Sequence, residues 1–222
     1  VAEWVIAVMI DLSRHISVDN LTFKAGVQPQ PRMGRELRGA TLGVIGYGQI
    51  SRYLCCLAQA FDMRVLVNDP YAAVDGTGVS GASLAHVLAQ SDYVVCLAPA
   101  TAETENLMDA RAFAQMKKSA YFVNAARGNL VDESALLQAL DAGLLAGAAL
   151  DVGRAADQMP GLHLATHPRV TATPHTGGLT LPATRHQALE TVAQTAKILQ
   201  GQLPAGAVNG RLATRFQQAF RQ

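Results

Sequence analysis

Arg127, in the string Asn124-Ala125-Ala126-Arg127-Gly128, offers a planar fork of donors beside a glycine, a shape that holds a carboxylate by paired hydrogen bonds. His175, in Thr173-Pro174-His175-Thr176-Gly177-Gly178, stands on a rigid turn rather than an apolar face, and a histidine there can exchange protons near neutral pH. Asp151 closes the apolar run Gly147-Ala148-Ala149-Leu150, where an unpaired carboxylate is costly. It is expected to accept hydrogen bonds from backbone amides or from the amide of a bound cofactor. A carboxylate clamp and an acid–base group together suit proton transfer on a small organic acid.

A second set of residues supplies a place for a cofactor. Leu42-Gly43-Val44-Ile45 reads as a strand, Gly46-Tyr47-Gly48 as a tight turn, and Gln49-Ile50-Ser51 as the start of a helix. That order leaves backbone amides at a helix N-terminus facing outward, where a pyrophosphate can sit. Gly46 permits the turn, and Gly48 lets a ligand approach without a Cβ in the way. Ser51 stands where the G-x-G-x-x-G pattern has its third glycine. Asp69 ends a second apolar run about 20 residues beyond the glycines, where a carboxylate accepts from a ribose diol and repels a 2′-phosphate. The expected cofactor is therefore NAD rather than NADP.

Alternating strands and helices must position these groups. Strands are predicted at 41–45, 63–68, 92–97, 120–124, 146–150 and 169–172. Helices are predicted at 49–61, 83–89, 109–116, 132–142 and 182–200, the last ended by Gly201. The pattern specifies an α/β fold: a doubly wound parallel sheet, Rossmann-like, with helices on both faces. Ligands on such a sheet bind beyond the carboxyl ends of the strands, and every residue named above follows a predicted strand. An amphipathic helix is expected before the sheet, giving an interface helix over 1–17. A connecting arm without clear period follows at 18–40, with Pro29, Pro31, Gly34 and Gly39. The cofactor domain is expected over 41–180, and a C-terminal helix and tail over 181–222.

The 222 residues suffice for one large α/β domain, or a medium one with appendages. Half are hydrophobic and only 5% aromatic, which suits strands buried on both faces. A formal charge of +1 gives no reason to expect nucleic acid or a membrane surface as partner. Arg32, Arg35 and Arg38 read as a solvated face. Cys55, Cys56 and Cys96 lack metal or redox spacing, which fits a reducing, cytoplasmic setting. His163 and His167 have metal-like helical spacing, but Gly161 and Pro168 argue for a loop, so no metal is expected.

These strings, with Asn68-Asp69-Pro70-Tyr71, Met116-Lys117-Lys118 and Asn129-Leu130-Val131-Asp132, resemble the NAD-binding domain of the D-isomer-specific 2-hydroxyacid dehydrogenases. The likeness runs from the first helix to Val208-Asn209. It implies hydride exchange between NAD(H) and C2 of a small 2-hydroxy or 2-oxo acid. It also implies Arg127 on the substrate carboxylate and His175 as acid and base, and a homodimer with the first helix near its interface. Cofactor contacts are expected at Gly46, Gly48, Gln49, Ile50, Asp69, Ala98, Pro99, Thr104, Ala125, Ala126, Arg127, Asp151, His175, Gly177 and Gly178.

Two departures from the family pattern stand out. The glutamate that normally supports the histidine falls on Ala156, followed by Asp157, and losing such a carboxylate weakens acid catalysis on the order of 10²–10⁴-fold when proton transfer suffers fully. Asp157, shorter and one residue displaced, is the remaining candidate to reach His175. The family residues that precede the first helix, which form most of a substrate domain, are not in this sequence. The tail over 181–222 would pack back on that domain, and the chain alone should bind NAD better than it turns substrate over. The alternative expectation is a non-catalytic NAD-binding module or impaired paralogue. The strings around Arg127 and His175 argue against an S-adenosylhomocysteine hydrolase type, and Ala156, where formate dehydrogenases carry glutamine, argues against that branch.

Overall fold

The computed structural model describes residues 1–204, 207 and 210–219. The chain divides into two compact units, Val1–Gly177 and Gly178–Gln222. In the first, the order is α1 (Ala2–Arg14), α2 (Ile16–Lys24), β1 (Thr41–Ile45), α3 (Gln49–Ala60), β2 (Arg64–Asn68), β3 (Val79–Gly81), α4 (Leu84–Gln90) and β4 (Tyr93–Cys96). Then come α5 (Ala110–Gln115), β5 (Tyr121–Asn124), a 3-10 turn (Gly128–Leu130), α6 (Glu133–Asp141), β6 (Gly147–Leu150), α7 (Leu162–Ala165) and β7 (Val170–Ala172). The second unit holds α8 (Leu181–Leu199), a 3-10 turn (Gly210–Leu212) and α9 (Thr214–Ala219).

The sheet has seven strands in the order β3-β2-β1-β4-β5-β6-β7, all parallel. Strands β1, β4, β5 and β6 are buried at every residue, as their unbroken apolar runs require. One face packs against α1 and α3 through Val5, Met9, Leu54 and Ala58. The other packs against α4, α5 and α6 through Leu88, Phe113, Leu136 and Leu140. Ser83, Asp109 and Asp132 cap α4, α5 and α6, each accepting from a backbone N–H three residues on. Ser13 of α1 donates or accepts a buried 2.6 Å hydrogen bond with Tyr93 of β4, which fixes the leading helix on the sheet.

Three elements depart from the sequence expectation. The segment 18–40, read as an aperiodic arm, begins inside a second helix, α2. His15, in the left-handed region (φ 59°), separates α2 from α1, and no residue of α2 is buried, so no apolar stripe marked it. Strand β3 was not foreseen because it has three residues, two of them exposed. The 161–168 loop contains the single turn α7, held by Leu164 against the core.

Phe122 is fully buried at the centre of β5, edge to face with Phe113 at 5.3 Å between centroids. Phe122→Ala should lower unfolding free energy by about 3–5 kcal/mol, read as an earlier midpoint in urea denaturation followed by circular dichroism.

Candidate functional site

Parallel register carries the strand ends into one line. Asn68, Ile45, Cys96, Asn124, Leu150 and Ala172 are paired in a single row across the sheet. The residues just beyond that row are Asp69, Gly46, Leu97, Ala125, Asp151 and Thr173. At about 4.8 Å between neighbouring strands, the ends of β4, β5 and β6 form one continuous rim. The chain runs to opposite sides of β1 at β2 and β4, and this switch point opens a crevice beside the glycine turn.

Gly46 has φ +93°, and a Cβ there would lie 2.8 Å from the Ala98 backbone, so the turn and the approach of the β4 exit both require glycine. A Cβ on Gly48 would meet nothing within 4 Å. Gly48 is the N-cap of α3, and no side chain caps it, leaving the first-turn amides of exposed Gln49 and Ile50 to an outside acceptor. The buried Ser51 hydroxyl has no hydrogen-bond partner among the described residues. An uncapped helix start, open space at Gly48 and a hydroxyl without an acceptor fit an incoming pyrophosphate.

Asp69 Oδ2 accepts from the Tyr47 amide at 2.7 Å, and Oδ1 from the amides of Tyr71 at 2.8 Å and Ala72 at 3.0 Å. Burial alone would push its pKa up; amide donation from Tyr71, Tyr47 and Ala72 outweighs that and holds it below the ordinary carboxylate value. The carboxylate thus braces the glycine turn while staying charged. Arg52, one turn into α3, is paired with Asp75 at 2.6 Å and lies 4.2 Å from the Tyr47 ring centroid, so this cation is already engaged.

The β5 exit is shaped by Asn124, whose Oδ1 accepts from Ala126 N at 3.1 Å and whose Nδ2 donates to Arg127 O at 3.0 Å. Ala126 is buried, Ala125 half-buried and Arg127 exposed. The Arg127 guanidinium donates once, to Ala126 O at 2.7 Å, and meets no carboxylate among the described residues. Gly128 lies against Gly153 so closely that a Cβ would stand 2.1 Å from the Gly153 carbonyl carbon.

Asp151 is 3% exposed and orders the β7 exit. Its Oδ1 accepts from the Thr173 hydroxyl at 2.5 Å and the Thr176 amide at 2.8 Å, and its Oδ2 from the Gly177 amide at 2.8 Å. Backbone amides, one of the two expected kinds of donor, are thus present at this buried carboxylate. Between those donors His175 is half-buried with φ 55°, a strained region for a histidine, and its amide donates to Thr173 O. Its ring makes no hydrogen bond among the described residues.

Ala156 lies in the turn between β6 and α7. The Asp157 carboxylate accepts from Met159 N at 3.0 Å and makes no hydrogen bond with His175. Ala98 is buried and Pro99 exposed on the β4 exit. The Thr104 hydroxyl donates to Pro99 O at 2.8 Å and accepts from Thr101 N at 2.8 Å, closing its own loop. Gly178 begins the second unit. His163 and His167 face different carboxylates, Glu133 and Asp141, each at 3.3 Å, and no group of three metal-binding side chains occurs among the described residues. Thr173, whose hydroxyl reaches Asp151, was not singled out in the sequence; its place one residue past a strand was the available signal. Val208 and Asn209 lie outside the described residues.

A doubly wound parallel sheet with this glycine turn and acid defines a dinucleotide-binding domain of the Rossmann type. Residues 6–177 match the family model of the D-isomer specific 2-hydroxyacid dehydrogenase NAD binding domain, and the chain belongs to that family. Its cofactor is NAD. The chain is 37% identical over 212 residues to the chloroplastic D-3-phosphoglycerate dehydrogenase 3 of Arabidopsis thaliana, covering 94% of this chain and 36% of that protein. It therefore spans about a third of that relative's length. Among solved structures it is similar to a glyoxylate reductase from Paecilomyes thermophila, with TM-score 0.85 and 29% identity over 91% of this chain and 63% of that one. It is also similar to the D-lactate dehydrogenase of Aquifex aeolicus complexed with NAD and lactic acid, with TM-score 0.80 and 29% identity over 90% and 66%.

Asp69→Ala should weaken NADH binding roughly ten-fold while narrowing the gap to NADPH, measured by fluorescence titration of both nucleotides. A folded carboxylate that holds its proton less tightly than the unfolded one stabilises the turn fully above the usual carboxylate pKa of about 4. That contribution disappears as pH falls through its lower folded value, so the fall in NADH affinity below this range should be smaller in the variant.

Proposed function

We propose that the protein is an NAD-dependent D-2-hydroxyacid dehydrogenase, or its cofactor half, reducing a small 2-oxo acid or oxidising the 2-hydroxy acid. The observation that carries this reading is an unpaired Arg127 on the same strand-end rim as a histidine held in a left-handed turn. Gly46, Gly48, Gln49, Ile50 and Asp69 would hold the pyrophosphate and adenosine ribose. Ala98, Pro99, Thr104, Ala125, Ala126, Asp151, Gly177 and Gly178 complete the proposed cofactor contacts. Bound NADH supplies a hydride to C2. Arg127 holds the substrate carboxylate and stabilises negative charge growing on the 2-oxo oxygen. His175 gives its proton to that oxygen and takes it back in the reverse direction. Asp151 keeps the His175 turn in place.

With alanine at position 156 and Asp157 bound to Met159 N, His175 works without a carboxylate from this loop. Loss of nicotinamide absorbance with NADH and a panel of 2-oxo acids tests the activity. His175→Ala should lower the rate on the order of 10²–10⁴-fold, and Ala156→Glu should raise it. Tight NADH binding by the full-length protein with no turnover on any 2-oxo acid would reduce it to an NAD-binding module.

The proposed organisation is an interface helix over 1–17, an arm over 18–40, the cofactor domain over 41–180 and a tail over 181–222 that packs on a substrate domain. A homodimer through the first two helices is supported by Ile16, Leu21, Phe23 and Val27, all more than half exposed on or beside α2. Three free cysteines support a reducing, cytoplasmic setting, and no helix among the described residues is long and apolar enough to cross a membrane. Phe23→Glu should shift the chain from dimer to monomer in sedimentation velocity with NADH affinity retained; an unchanged sedimentation coefficient would sink the α2 interface.

A further inference from the structure

Arg154 follows β6 and is joined to two neighbouring segments, the stretch from the β5 exit into α6 and the loop beyond β4. Its backbone amide donates to Glu133 Oε1 at 2.8 Å, at the first turn of α6. Its Nε donates to Val131 O at 3.0 Å and one terminal nitrogen to Asn129 O at 2.9 Å, both on the loop that carries Arg127. The other terminal nitrogen donates to Glu105 Oε1 at 2.8 Å, and the first also to Asn106 Oδ1 at 2.5 Å, both on the loop beyond β4. Asn129 O receives a second donor, the Asn106 amide at 2.8 Å, so the two loops meet at the same carbonyl. A half-exposed ion pair such as Arg154–Glu105 contributes little by itself. A planar guanidinium that saturates two main-chain carbonyls and two side chains contributes geometry, which an ammonium group cannot reproduce.

This knot lies at the Arg127 peptide. Gly128 is pressed on Gly153, the residue before Arg154, and Asn129 is the residue after Gly128. The Arg127 side chain has no hydrogen-bond partner among the described residues beyond its neighbouring carbonyl to set its direction. We propose that Arg154 is a positioning residue: by tying the β4, β5 and β6 exits together, it fixes the backbone from which Arg127 reaches the substrate carboxylate. This rests on the role proposed above for Arg127. Arg154 touches neither cofactor nor substrate in this account.

The test compares Arg154→Ala, Arg154→Lys, Glu105→Gln and Arg127→Ala in the full-length protein. Two affinities are read by NADH fluorescence: that of NADH, and that of oxamate, an isostere of a 2-oxo acid that accepts no hydride, for the NADH-loaded chain. Hydrogen exchange of residues 128–131 is followed beside that of 46–52. Arg154→Ala should weaken oxamate roughly ten- to a hundred-fold with NADH affinity within about two-fold, the cost of a displaced binding group. Exchange at 128–131 should quicken while 46–52 is unchanged, Arg154→Lys should recover only part of the loss, and Glu105→Gln should lose less than either. Oxamate affinity unchanged in Arg154→Ala but lost in Arg127→Ala overturns the positioning role and leaves the Arg127 reading intact. A parallel loss of NADH affinity, with faster exchange at 46–52, overturns it in favour of a general structural role. Oxamate binding that is absent from the unaltered chain, or indifferent to Arg127→Ala, counts against the substrate reading; exchange at 128–131 then decides alone whether Arg154 holds this peptide.

Discussion

Parallel pairing in register is the constraint on which the rest depends. One row of paired residues crosses the sheet from β2 to β7, so the exits of those strands emerge on one edge. A parallel sheet needs a crossover between successive strands, and each crossover begins at that edge. The edge therefore collects chain turns, exposed amides and helix starts, while apolar residues fill both faces behind it. The chemistry of this protein has no other place of comparable convergence within the first unit.

Rigid strands alone do not orient side chains on the loops beyond them. Two buried or half-buried carboxylates supply that order by accepting backbone amides. Asp69 takes three amides from its own loop and the glycine turn, and Asp151 takes two amides and a hydroxyl around His175. Each acceptor is paired with a strained or unusual backbone: Gly46 at φ +93° and His175 at φ 55°. A non-glycine residue at positive φ costs of order 1–3 kcal/mol and persists only when neighbouring bonds over-determine it. The three donors that Asp151 accepts from the Thr173–Gly177 turn are those bonds.

Much of the fold was legible because the strands are continuous apolar runs and the helices begin at Ser83, Asp109 and Asp132, residues that cap. Elements without such signals were not. Strand β3 is short and exposed, and α2 buries nothing, so neither leaves a hydrophobic period to read. At the site, residues directly after strands could be placed by register alone, which covers Gly46, Asp69, Ala125 and Asp151. What each carboxylate accepts could not, because amide donors in a turn are set by φ and ψ rather than by residue type. The Arg154 knot was illegible for a related reason: its partners lie on loops distant in sequence, and two of them are main-chain oxygens.

The loop after β6 shows how one packing choice can govern several residues at once. A Cβ on Gly153 would fall 2.5 Å from Met159 O and 2.7 Å from Pro160 Cα. The loop folds back on itself at that point: Gly153 N donates to Gln158 O, Gln158 N to Ala155 O, and Asp157 caps Met159 N. Gln158 takes φ 61° to close the turn. A side chain at 153 would force the loop onto a different path. Glycine at 153 and aspartate at 157 therefore both serve one compact turn. Arg154 fastens that turn to the neighbouring exits.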